Sequence, residues 1–192
     1  MPSRRLFIAL PLPEPIRAEI ETLLSPRLPD VGWTRPEQLH LTLRFLGDVD
    51  SARIEELETA LARVRVEPFV LPVEGVGAFP PDRPPRVLWV GVGRGHPRLH
   101  QLRQRIDDTI LQAGHPLDVK TFSPHITLGR CDPPGGGHVR RWLEQHREFA
   151  AAPFRVSSFE LLSSELRPAG PVHTSLRHFS LMDEPSTASP AP

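Results

Sequence analysis

The chain has little of several things. It carries one cysteine, Cys131, in 192 residues. No disulfide can form within it, and a reducing compartment suits it. It has no excess charge: 23 Lys and Arg balance 23 Asp and Glu. A protein that coats nucleic acid by bulk charge is therefore excluded, and a nucleic-acid substrate needs a local basic patch. Lysine is almost missing; Lys120 is the only one, so the positive charge is arginine. Arginine suits bidentate contacts to phosphate and carboxylate, although Arg, Ala and Pro are common throughout, as base composition alone would make them. No apolar run is long enough to span a membrane. The opening MPSRRLFIALPLPEP has the flavour of a leader. Its apolar run is too short and is broken by Pro11 and Pro13, so it reads as a buried first strand. The cytoplasm is the default expectation.

What is present is a modest apolar share, 39%, enough for one compact domain over 1–182. The Ser/Pro/Ala-rich stretch 183–192 is expected to be a disordered tail. Leu6 to Leu10 is a short strand. Pro13 to Leu28 has helical spacing through Ile16, Ile20, Leu23 and Leu24. Leu39 to Leu46 is β-like. Ser51 to Val64 is an amphipathic helix with Ser51 as its cap. Phe69 to Phe79 and Arg86 to Gly93 are strands joined by a proline-rich turn. Pro97 to Ala113 is a third helix, Ile126 to Leu128 lies in a strand, and Val139 to Phe149 is a fourth helix. Phe154 to Leu166 and Val172 to Leu181 form a closing hairpin.

One tetrapeptide pattern occurs twice: His-x-Thr-Leu at His40 to Leu43 and at His125 to Leu128. Each copy follows a strand and a helix and precedes a helix and a Pro-Phe. From His to Phe the spacing is 69 − 40 = 29 in one half and 154 − 125 = 29 in the other. The pattern predicts two α/β lobes related by an approximate two-fold, each giving one His-strand to a shared cleft.

Side chains alternate across a strand, so His40 and Thr42 share a face, backed by Leu41 and Leu43. His125 and Thr127 do the same, backed by Ile126 and Leu128. An imidazole and a hydroxyl then stand a little under ~7 Å apart along each strand. Two imidazoles around one centre suit phosphodiester hydrolysis. One takes a proton from water and the other gives a proton to the leaving oxygen, near neutrality. Each threonine can donate to a non-bridging oxygen. Arg130 falls on the face opposite His125 by strict alternation; a turn or bulge after Gly129 would bring its charge to the phosphate. A lone His-x-Thr usually means nothing, but two in matching places point to a site.

HLTLRFLG at His40 to Gly47 and FSPHITLGR at Phe122 to Arg130 resemble the paired signatures of the 2H phosphoesterase superfamily. The opening RLFIALPLP and the Trp33 to Leu39 lead-in sharpen the likeness to its RNA 2′,3′-cyclic phosphodiesterase branch, historically called 2′-5′ RNA ligases. The resemblance implies an α+β, bilobal fold with antiparallel sheets lining a central cleft. It implies opening of RNA or nucleoside 2′,3′-cyclic phosphate to a 2′-phosphate, with no metal or other cofactor. It makes His40 the proton donor and His125 the acceptor, with Thr42, Thr127 and Arg130 on the phosphate. Gly129 stands where the branch often has alanine, which touches local backbone freedom. The expected partners are RNA ends or nucleotides bearing the cyclic phosphate, and a monomer is expected. The alternatives are 2′-5′ ligation at the same centre, or a nucleotide-binding module without turnover. Intact His and Thr in both motifs argue against the module.

Other features carry less. His96 and His100 have a zinc-like spacing but no third ligand. Gly91, Gly93 and Gly95 fall short of a phosphate loop and read as a turn. Gly135 to Gly137 is a flexible loop. Cys131 is adjacent to Arg130, but no nearby Cys-His pairing in the sequence supports a nucleophile. His115, His138, His146, His173 and His178 have no partnered pattern. Parity puts Phe45 in the core. Trp33 is either buried or a base-stacking ring at the cleft rim.

Overall fold

The computed structural model describes residues 2–24, 28, 29, 31–116, 121–132, 134, 136–167 and 170–182. The expected tail 183–192 and Gly135 lie outside them. The elements run β1 (Ser3–Pro11), α1 (Glu14–Glu21), β2 (Val31–Trp33), β3 (His40–Asp50), α2 (Ile54–Leu61), β4 (Phe69–Phe79) and β5 (Val87–Val92). They continue with α3 (Pro97–Gln112), β6 (His125–Cys131), α4 (Gly137–His146), β7 (Ala150–Val156), β8 (Ser158–Arg167) and β9 (Gly170–Ser180). Short 3₁₀ turns occupy Thr22–Leu24, Pro36–Gln38 and Ser51–Arg53.

The strands form one curled antiparallel sheet in the order β7-β4-β5-β6-β3-β1-β8-β9, with β2 added on β6. The two His-strands are its middle pair. Beyond them β5 mirrors β1 and β4 mirrors β8, so the order is that of two four-stranded halves. They meet at one register pair, Leu41 opposite Ile126. Both residues are fully buried. The bilobal α+β expectation holds, with the two lobes joined in one half-barrel sheet.

The apolar face of this sheet is covered by helices. Leu57 and Leu61 of α2 and Leu99, Leu102, Ile106 and Ile110 of α3 are buried with Leu41, Leu43, Ile126 and Leu128 in a single core. The concave face is left to the polar partners of those leucines.

Three expectations change. The predicted strand Phe154 to Leu166 is two strands in different lobes: β7 pairs β4, whereas β8 pairs β1. Apolar parity flips here, from Phe154 and Val156 to Phe159 and Leu161, all buried. One continuous strand cannot bury both pairs on one face. Second, Phe69 and Phe154 are not counterparts in two lobes. Leu71 of β4 opposes Phe154 of β7, so both phenylalanines lie in neighbouring strands of one lobe. The repeat is therefore β1-α1-β3-α2 against β5-α3-β6-α4. Third, Asp50, not Ser51, caps the turn into α2. Its carboxylate accepts from the Ala52 N–H at 3.0 Å, and Ser51 is already inside the 3₁₀ turn.

Candidate active site

The pair Leu41–Ile126 sets the geometry of everything around it. Extended by one residue each way, the register puts His40 opposite Thr127 and Thr42 opposite His125. Directly opposed residues share a sheet face. The two histidines are then diagonal neighbours, with Cβ atoms roughly 7 Å apart. Both are half-buried on the concave side, while Leu41, Leu43, Ile126 and Leu128 are buried behind them.

Each imidazole is held the same way. His40 Nδ1 is 2.7 Å from the Gln38 carbonyl, and His125 Nδ1 is 2.7 Å from the Ser123 carbonyl. A carbonyl only accepts, so Nδ1 carries the proton in both rings. Nε2 is left for the cleft. In His40 it lies 3.1 Å from the Thr42 hydroxyl, which donates to it while the ring is neutral.

Burial pushes the His40 pKa down from 6.5 to about 4. The Gln38 carbonyl opposes that, and the charges of His173 and His125 reinforce it. His125 is also lowered, first by burial and also by the positive charge of Arg130, against the Ser123 carbonyl. The free site therefore holds both rings neutral at pH 7.

Arg130 reaches this face through a bulge. Trp89 opposes Thr127 but Leu88 opposes Gly129, so Leu128 is an extra residue in β6. The phase slips by one there. Gly129 and Cys131 are buried and Arg130 is exposed, near enough to His125 to act on its titration. The bulge falls after Leu128, one position earlier than the sequence suggested. β3 has the same irregularity: Ala9 opposes Thr42 and Ile8 opposes Arg44, leaving Leu43 extra. Both copies of His-x-Thr-Leu thus end in a bulge at the leucine.

This corrects Phe45. Parity placed it in the core, yet it is 65% exposed on the cleft side, with its ring 6.0 Å from that of Phe7. Phe45 and Arg130 occupy equivalent places in the two halves, each five residues after its histidine. The slip instead turns Arg44 inward, to 8% exposure.

Carbonyls at the bulges find partners from elsewhere. The Leu128 carbonyl accepts from the Thr34 N–H at 2.8 Å, just after β2. The Leu43 carbonyl accepts from Arg103 Nη1 of α3. Arg103 is 9% exposed and also bonds Asp107 through Nε at 2.9 Å. Asp107 accepts from Arg44 Nε at 2.7 Å. Arg103 stands 4.9 Å over the Phe122 ring, just ahead of the second motif. Helix α3 therefore braces the first motif and the approach to the second.

A cavity of about 450 Å³ lies here, lined by Arg5, Thr42, Phe45, Arg103, Phe122 and His125, among others. A larger hollow of about 630 Å³ shares Ser123 with it and is lined by Trp89, Gly91, Arg94 and Arg147. The larger one is lined by neither histidine; the smaller is lined by His125 and by Thr42, whose hydroxyl meets His40.

The remaining candidates have structural explanations. Trp33 is half-buried, 5.7 Å from the Trp142 ring, and packs on Gly129. A Cβ on Gly129 would lie 3.0 Å from the Gly32 carbonyl and from Trp33. The glycine serves close approach of β2, not backbone freedom. His96 stacks on Phe69 and His100 meets Phe122 edge-on. Gly93 and Gly95 have positive φ in the turn from β5 to α3. Cys131 is buried. Among the described residues no three His, Cys, Asp or Glu gather as metal ligands, and no helix is long and apolar enough to cross a membrane.

One residue of the site escaped the sequence altogether. His173 of β9 stands with its ring 5.3 Å from that of His40. It belongs to no motif, and 133 residues separate it from its neighbour.

With this geometry in hand, the relatives are informative. The family model for LigT-like phosphoesterases matches residues 10–89 and 91–173. The RNA 2′,3′-cyclic phosphodiesterase of Archaeoglobus fulgidus is 33% identical, covering 91% of this chain and 99% of its own. That of Thermus thermophilus is 36% identical, covering 94% and 91%. Among solved structures, Escherichia coli LigT complexed with 3′-AMP superposes with TM-score 0.78 at 25% identity, covering 95% of this chain and 100% of that one. A crystal structure of a Thermus thermophilus protein gives TM-score 0.75 at 32% identity, covering 94% and 99%. The chain belongs to the LigT-like phosphoesterase family.

Proposed function

We propose that this protein hydrolyses 2′,3′-cyclic phosphates at RNA ends or on nucleosides to 2′-phosphomonoesters, with two histidines as acid and base and no metal. The observation that carries the reading is the pair of imidazoles on neighbouring strands, each with Nδ1 on a carbonyl so that Nε2 is the nitrogen left for chemistry. Family membership and the relatives' named activity support it.

In this mechanism the cyclic phosphate sits between the two motifs. Thr42 and Thr127 donate to its non-bridging oxygens, and Arg130 opposes its charge. His125 Nε2 takes a proton from water as the water oxygen bonds to phosphorus. The bond from phosphorus to the 3′ oxygen breaks, and His40 Nε2 gives that oxygen its proton. The product carries a 2′-phosphate and a 3′-hydroxyl. His40 must be charged to do this, although its pKa in the free site is about 4. The anionic substrate supplies the missing stabilisation, since a negative charge beside an imidazole favours the protonated form. The donor then holds its proton most readily when substrate is bound.

The test is an oligonucleotide ending in a 2′,3′-cyclic phosphate. Replacing either histidine by alanine should cut turnover by about 10²–10⁴-fold. Full activity in either variant would end the assignment. Activity in wild type should persist in EDTA; loss on chelation, restored by a divalent cation, would rule out the metal-free reading.

A further inference from the structure

His40 and His125 are anchored alike, each Nδ1 on the carbonyl two residues earlier. His173 breaks the pattern. The carbonyl two residues before it is that of Pro171, and Gln38 Nε2 already donates to this oxygen at 2.6 Å. His173 Nδ1 is buried with no hydrogen-bond partner. Its ring meets His40 at 88° and 5.3 Å, and meets Phe7 at 72° and 4.9 Å. Phe7 in turn lies 5.0 Å from His40. The three rings are in mutual contact. Gln38 ties them together, since its carbonyl orients His40 and its side chain fixes the strand that carries His173. An apolar ring would fill this place without stranding a buried nitrogen. A histidine kept there calls for a use.

We infer that His173 is a positioning residue for His40, its ring held by the Gln38–Pro171 contact so that the His40 imidazole keeps its plane and its Nε2 stays aimed at the phosphate. This rests on the reading of His40 as the proton donor. The inference stands on the ring geometry, and the electrostatics agree with it. The charged groups acting on His40 are His173 from β9 and His125 from β6, and both disfavour its proton. From β1, Pro11 opposes His40 in register and the Phe7 ring packs beside it, neither of them charged. His173 is itself lowered by burial, so both rings are neutral at pH 7 and its charge bears on His40 only in acid, where the rings take up protons.

The experiment compares His173→Ala, His173→Phe and His40→Ala on the cyclic-phosphate oligonucleotide, with the His40 titration followed by NMR of its ring in the free protein. His173→Ala should lose about ten- to a hundred-fold in kcat with KM within about twofold, the size of effect expected from a misplaced catalytic group. His173→Phe, which keeps a ring, should recover most of kcat. In the same variant the His40 midpoint should rise above its wild-type value, because the neighbouring charge is gone. That rise reports the lost charge alone; the fall in kcat at unchanged KM and its rescue by a phenylalanine ring are what a purely structural role would not give. If His40→Ala is inactive while His173→Ala keeps wild-type kcat, the inference fails alone. An inactive His173→Phe also overturns it, and serves where His173→Ala does not fold. Activity in His40→Ala would instead remove the donor reading beneath it.

Discussion

Lowering the pH should unfold this protein in part through His40. In the unfolded chain its pKa is 6.5, and in the folded site it is about 4. Between these values the unfolded state binds more protons, so stability rises with pH. The His40 contribution is complete above pH 6.5, declines as pH falls toward 4 and is gone below it. The shift is 6.5 − 4 = 2.5 pH units. At 1.36 kcal/mol per unit this is about 3 kcal/mol. That is a large share of the stability of a domain this size. His115, His125 and His173 are lowered too and add to the acid sensitivity. A double comparison isolates His40: urea unfolding of wild type and of His40→Gln, at steps from pH 7 to pH 4. Glutamine does not titrate. The wild type should lose about 3 kcal/mol more than the variant over this range. Two parallel curves, within about 1 kcal/mol, would show that His40 is not held neutral by its surroundings, and the account of burial at this ring would fall.

Other perturbations test the frame around the site. Asp107→Asn removes the carboxylate between Arg44 and Arg103, both nearly buried, and should cost about 2–4 kcal/mol, reduced from a fully buried case because Asp107 is 20% exposed. Urea unfolding measures it, and a loss below about 0.5 kcal/mol would mean that solvent replaces the carboxylate. Gly129→Ala should cost about 1–3 kcal/mol by crowding the Gly32 carbonyl and Trp33, with the unfolding midpoint as readout; an unchanged midpoint would mean that β2 yields freely. Arg130→Gln should lower kcat/KM by about ten- to a hundred-fold through weaker hold on the anion. The His125 titration should move up in the same variant, since Arg130 holds it down.

The parts of this site that could be read from sequence are those fixed within a few residues. Alternation placed His40 with Thr42 and His125 with Thr127, and the leucines behind them are buried as alternation requires. The bulges were not legible. Nothing in LRF or LGR announces an extra residue, because the bulge in β3 is set by its pairing with β1 and by Arg103, 60 residues away. Phe45 was misplaced for that reason, while Arg130 comes near His125 only through the bulge that the sequence left open. The division of β7 from β8 was visible in the parity change after Val156, but the short break at Ser157 hid it. The equal spacing to Phe69 and Phe154 pointed to the correct repeat through residues that do not correspond. His173 had no local signal, because its place depends on a contact between Gln38 and Pro171 across 133 residues.

The two motifs are nearly symmetric, but the reaction has a direction, so the assignment of donor and acceptor needs a chemical test. pH profiles cannot supply it, because exchanging the two roles leaves a bell-shaped curve unchanged. The surroundings do differ. His125 has Arg130 at the bulge and rests against Phe79 and Trp89; His40 has Phe45 there and rests against Phe7 and His173. A substrate with sulfur in place of the 3′ oxygen separates the roles. A thiolate, with a conjugate-acid pKa near ~8.5, leaves without needing a proton, whereas an alkoxide does not. Loss of the donor should then matter little and loss of the base should matter as before. If His40 is the donor, His40→Ala should recover to within about tenfold of wild type on the sulfur substrate, and His125→Ala should stay about 10²–10⁴-fold slow. The opposite pattern would exchange the two assignments while leaving the shared site intact. Recovery of neither variant would show that both histidines act before the leaving group departs, and the acid/base division proposed for them would be wrong.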